Sequence, residues 1–76
     1  MNVASRYSIA GATASEVAGS VEEGVRTGAL PTGALLPPVR ALAAQLGLSA
    51  ATVAAAYRRL RARGLAAGAG RRGTRV

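Results

Sequence analysis

Residues 38–60, PVRALAAQLGLSAATVAAAYRRL, decide the fold. Val39, Leu42, Ala43 and Leu46 recur at the three- and four-residue spacing of one helix face. Pro38 suits the first turn of that helix, where a missing N–H costs nothing, and Gly47 ends it. Ser49 then caps a second helix with the stripe Val53, Ala56, Tyr57 and Leu60, and Gly64 lies past its end. Gly47 and Leu48 alone separate the first helix from the Ser49 cap. Two short amphipathic helices joined by so tight a turn form a helix-turn-helix. A plain pair of packed helices would carry the same stripes, so the flanking sequence has to decide.

Upstream, Leu30-Pro31-Thr32-Gly33 reads as a turn, and Leu35 and Leu36 as a very short strand. Before it, Thr13 and Glu16 make a capping box that opens another helix with Ala14, Val17, Ala18, Val21 and Val25 on one side. Gly28 is its natural stop. Gly19 and Gly24 inside it each cost up to ~1 kcal/mol relative to Ala, so packing has to hold this helix. Residues 1–12 read as a flexible tail and 13–76 as the domain. Downstream, residues 65–67 and 74–76 read as two strands flanking a Gly-rich, doubly charged tip. Three helices followed by a basic hairpin give the expected class: mainly α (α+β), a winged helix-turn-helix, with a recognition helix over about 49–63 and a wing over about 65–76.

Composition narrows the function. A chain of 76 residues makes one small domain, which buries only about 60% of its unfolded surface and is marginally stable. Half the residues are hydrophobic and 17% charged, too apolar a mixture for disorder. There is no Cys, His, Lys or Asp, which removes the usual general bases, thiol nucleophiles, Schiff-base amines and zinc ligands. Glu16, Glu22 and Glu23 are the only carboxylates, and their reading is as caps and surface residues. No enzyme is expected.

All ten basic residues are Arg, and they are unevenly spread. Residues 1–35 hold two Arg against three Glu, whereas residues 36–76 hold eight Arg and no acid. A single-sign field over half of a small domain points to a polyanion, either nucleic acid or an anionic membrane surface. The longest uncharged run, residues 41–57, contains Gln45, Gly47, Ser49 and Thr52 and is not a membrane span. No apolar leader stands out at the start, so a cytoplasmic location is expected. A cationic membrane-surface peptide would need a continuous helix with bulky anchors, and Tyr7 and Tyr57 are the only aromatics. Residues 68–73, GAGRRG, spell the letters of a dinucleotide-binding loop, but no helix and no acid follow, so they read as hairpin glycines.

Four blocks, GALPTGALLPPVRALA (28–43), LGLSAATV (46–53), YRRLRARGL (57–65) and GRRGTRV (70–76), occur in this order and spacing. Together they strongly resemble the DNA-binding domain of the GntR family of bacterial transcriptional regulators, over about residues 16–76. LPPVRALA (36–43) with TVAAAYRRL (52–60) is most similar to the MocR branch, whose full-length members add an aminotransferase-like domain that binds pyridoxal phosphate. These 76 residues hold no Lys for a Schiff base, so any such cofactor is expected only in a C-terminal domain outside them.

The interface can be sketched residue by residue. Opposite the apolar stripe of the second helix of the pair lie Ala51, Ala55 and Arg58, flanked by Ala54 and Arg59. A recognition helix reaches base edges with its N-terminal end, here Ala50, Ala51, Thr52 and Ala54. Alanine and the threonine methyl can touch the thymine methyl, and the threonine hydroxyl a base or phosphate. Ser49 and the open amides of the helix start suit a phosphate. Arg58 and Arg59 are expected on phosphates, Arg61 and Arg63 in solvent. The resemblance implies DNA contact for Arg40, and a wing-tip role for Arg71, Arg72, Thr74 and the Gly73 amide. It also exposes a departure: the family commonly has Arg after the serine and often a second basic residue four positions later, where Ala50 and Ala54 stand here. A bidentate Arg–guanine contact is worth ~1–3 kcal/mol, so guanine reading at this end is expected to be weak. Double-stranded DNA is the expected partner, with a homodimer forming on it and no membrane involved. An antitoxin-like or architectural winged-helix protein without operator preference is the alternative.

Overall fold

The computed structural model describes residues 7–68 and 73–76. Its three helices are α1 (Ala14–Thr27), α2 (Val39–Leu46) and α3 (Ala50–Ala62). Each begins and ends close to its sequence signals. Thr13 Oγ1 accepts the Glu16 N–H at 3.1 Å, and the Glu16 carboxylate reaches back to the Ala12 N–H at 2.8 Å. Gly28, at φ +83°, closes α1 in the left-handed region that L side chains avoid. Past Gly47, Leu48 N–H donates to the Ala43 carbonyl at 2.9 Å, so the same bond that caps α2 starts the turn. The chain then bends by 119° into α3, within the helix-turn-helix range.

One core holds the three helices together. Val17, Ala18 and Val21 from α1, Leu42 and Ala43 from α2, and Val53, Ala56, Tyr57 and Leu60 from α3 are all buried. Leu30, Leu36 and Ala66 close it from the connections. Full burial of each Val or Leu side chain is worth about 1.5–3 kcal/mol, the main force holding so small a domain.

The wing base is a three-layer ladder, one rung deep. Arg75 pairs antiparallel with Ala67 on one side and with Leu35 on the other. Arg75 and Ala67 exchange both backbone bonds at 2.8 Å, and Leu36 N–H reaches the Thr74 carbonyl at 2.8 Å. The ladder ends early because Pro38, the next residue in register to donate after Leu36, has no N–H, and because Gly68 and Gly73 turn with φ of +88° and +75°. The expected short strands are therefore single pairs, and residues 74–76 lie in the middle of the sheet. The hairpin tip, with Arg71 and Arg72, lies outside the described residues.

Residues 7–12 correct the expectation of a loose tail. Ile9 is buried, the Tyr7 hydroxyl donates to the Ser20 carbonyl at 2.6 Å, and Ala10 N–H bonds Ser20 Oγ at 3.0 Å. Two isolated large residues form no periodic pattern, so only the fold shows that they pack. The same contacts explain Gly24: a Cβ there would lie 2.8 Å from Leu30 Cδ1 and 2.9 Å from the Tyr7 ring. Gly19 has nothing within 4 Å of that position.

Candidate nucleic-acid interface

The charge division in the sequence becomes a division in space. All three carboxylates sit on α1, and each is occupied. Glu16 holds the Ala12 amide, Glu23 pairs with Arg26, and Glu22 pairs with Arg63 at 2.7 Å. Arg63, expected in solvent, instead ties the end of α3 to α1. Arg40, Arg58 and Arg59 are exposed and Arg61 is half-buried, and among the described residues none of the four meets a carboxylate. Arg75 donates to the Gly33 carbonyl at 3.2 Å.

Arg40 lies in the first turn of α2, a helix with no acidic residue there and no side-chain cap at Pro38. The N-terminal end of a helix carries a partial positive charge, so a cation in this place is disfavoured by a few tenths of a kcal/mol to about 1 kcal/mol. An anion bound there would reverse the sign.

At the start of α3 the polar side chains bond to each other and to the helix backbone. Ser49 Oγ accepts the Thr52 N–H at 3.1 Å, and the two hydroxyls share a hydrogen bond of 2.9 Å. The Thr52 hydroxyl, offered to a base or phosphate on sequence grounds, is engaged within its own helix cap. Around that cap Ala50 and Ala51 are exposed, while Ala54 and Ala55 are half-buried. The surface there is methyl groups plus the first amides of the helix, with Arg58 and Arg59 further along.

Thr74 requires a correction. Its residue is 7% exposed, and its carbonyl holds Leu36, so its side chain is not presented to a groove. Gly73 is half-buried, and a Cβ on it would sit 3.1 Å from Leu35 Cδ1. Sequence reasoning also missed a link across the interface. The Tyr57 hydroxyl on α3 donates to the Pro37 carbonyl at 2.7 Å, just before α2. Burial pushes this phenol up from 10.0 to about 12, so it stays a neutral donor at ordinary pH. Among the described residues no single helix is long and apolar enough to cross a membrane.

A helix-turn-helix of this geometry, backed by a third helix and followed by a small antiparallel wing on a basic face, defines a winged helix-turn-helix DNA-binding domain. The family model for bacterial regulatory proteins of the gntR family matches residues 13–76. The chain belongs to the GntR family, and it is that family's DNA-binding domain. It is 56% identical over 54 residues to the HTH-type transcriptional regulator Rv1152 of Mycobacterium tuberculosis, covering 71% of this chain and 45% of that protein. It is 47% identical over 66 residues to the vitamin B6 salvage pathway transcriptional repressor PtsJ of Salmonella typhimurium, covering 87% of this chain and 15% of that one. Among solved structures, YtrA from Sulfolobus acidocaldarius, a GntR-family transcription factor, superposes with a TM-score of 0.77 at 32% identity, covering 83% of this chain and 66% of that one. The chain thus spans less than half the length of these two curated relatives.

Proposed function

We propose that this domain reads a DNA half-site for a regulator of transcription, with α3 in the major groove and the wing on the adjacent backbone or minor groove. The carrying observation is the segregation of charge: every carboxylate is engaged on α1, while Arg40, Arg58 and Arg59 stand exposed on the helix-turn-helix without one. Arg40 contacts a base or phosphate at the start of α2. Arg58 and Arg59 meet phosphates, and the open amides beside Ser49 donate to another. Ala50, Ala51 and Ala54, with the Thr52 methyl, make apolar contact with thymine methyls, since the two hydroxyls at this end are bonded to each other. Arg71, Arg72 and the Gly73 amide act from the wing, and Thr74 leaves the contact set because it is buried.

Two such domains pair on DNA, one per half-site, in the cytoplasm where the chromosome lies. The resemblance of residues 36–43 and 52–60 to the MocR branch supports a pyridoxal-phosphate-binding domain elsewhere in the full regulator, where an effector would act. Selection from random duplex DNA, with affinity followed against salt, tests the reading. An enriched motif is expected, and replacing a contacted thymine by deoxyuridine should weaken binding about fourfold per methyl lost. Steep salt dependence with no enriched motif would favour the architectural alternative, to which the absence of long side chains at the start of α3 already lends some support.

A further inference from the structure

Residue 37 is where three parts of the interface meet. Leu36, one position earlier, is tied to the wing through the Thr74 carbonyl at 2.8 Å. The Pro37 carbonyl accepts from Tyr57 on α3 at 2.7 Å. Pro38 then begins α2 without a side-chain cap, and Arg40 follows in its first turn. Neither proline has an N–H, so this backbone can be held only through its carbonyls. Both prolines also have a fixed φ, which makes the link from Pro37 to Arg40 short and stiff. The Tyr57 ring fills the core at 2% exposure, a task phenylalanine would perform as well. Its hydroxyl adds nothing to that packing, and a buried hydroxyl must be matched by an acceptor.

We propose that the Tyr57 hydroxyl is a positioning group of the DNA-reading surface: through the Pro37 carbonyl it sets where the start of α2 presents Arg40 relative to α3. The proposal rests on the reading of Arg40 as a DNA contact. A double-mutant cycle on the 76-residue domain tests both, using the duplex enriched by selection and sucrose to keep each variant folded, as confirmed by circular dichroism. Arg40→Ala should weaken binding about tenfold and lower the salt slope by about 0.9. Tyr57→Phe should weaken binding about threefold or more and lower the same slope, yet add nothing on the Arg40→Ala background. Pro37→Gly, which leaves the core and the carbonyl in place but loosens the link, should copy Tyr57→Phe. It supplies the readout if the phenylalanine variant does not fold. A purely structural hydroxyl would lower Tm and leave affinity and slope untouched, and that result, or effects that simply multiply, overturns the proposal. An unchanged Arg40→Ala removes the contact itself and the proposal with it, and is visible in that single variant alone.

Discussion

α1 and the α2–α3 pair differ in the charge at their N-terminal ends. α1 has a side-chain cap, an acid in its first turn and a base in its last, as the helix dipole favours. α2 has no side-chain cap and a cation in its first turn, and α3, though capped by Ser49 and basic in its last turn, has no acid at its start. The first helix is finished internally and needs nothing from outside. Neither helix of the pair has a negative charge at its N-terminal end, and a phosphate backbone would supply one. On the proposed reading recognition falls to the exposed ends of the pair, while all three helices share the core, so the two can be perturbed at different residues.

The comparison breaks most visibly if the exposed arginines are removed. Arg40→Ala, Arg58→Ala and Arg59→Ala together should weaken duplex binding by at least tenfold and cut the salt slope by about 2.7, with Tm little changed; titrations at several salt concentrations check this. On α1, Gly24→Ala should do the reverse, costing about 1 kcal/mol or more of stability through its collision with Leu30 and Tyr7, with the affinity of the folded protein unchanged. Gly19→Ala, with open space around it, should instead raise stability by up to ~1 kcal/mol, and denaturant midpoints separate the two glycines. Thr13→Ala should cost about 1 kcal/mol, again without touching affinity. The smallest effect sharpens the contrast: Arg40→Ala should leave the free domain unchanged or stabilise it by a few tenths of a kcal/mol while it weakens DNA binding.

Alkaline pH offers a further probe of the pair. Below pH 10 Tyr57 is protonated in both the folded and unfolded states. Between 10 and about 12 the unfolded chain gives up the proton while the folded one retains it, so stability falls across that window. Thermal melts should show this slope, and Tyr57→Phe should flatten it.

Much of this architecture is written locally. Thr13, Gly28, Gly47 and Ser49 mark helix ends through bonds to residues three or four positions away, and so the helices lie where their caps place them. What escaped the sequence is contact between distant residues. Tyr57 and Pro37 are 20 positions apart and Tyr7 and Ser20 are 13 apart, with no spacing rule to announce either bond. Gly24 looked like a weakness for the same reason, because the groups it makes room for lie elsewhere in the chain. The charge division was legible as a count, but the occupation of each carboxylate was not, since the Glu22–Arg63 pair joins residues 41 apart. Burial of Thr74 depends on the sheet order, which alternation in three-residue segments is too short to encode.

The position of residues 74–76 has a consequence for how the domain is made. The central segment of the wing base is one that the ribosome delivers after α1, α2 and α3, yet it bonds back to residues 33–36. The helical core can collect its local contacts while the chain is still being extended. The ladder has to wait for its central member and close a loop of some forty residues, the slow kind of contact. Until that moment Leu36 lacks its partner on the wing, so a nascent chain can hold a formed helical pair before it holds a finished reading surface.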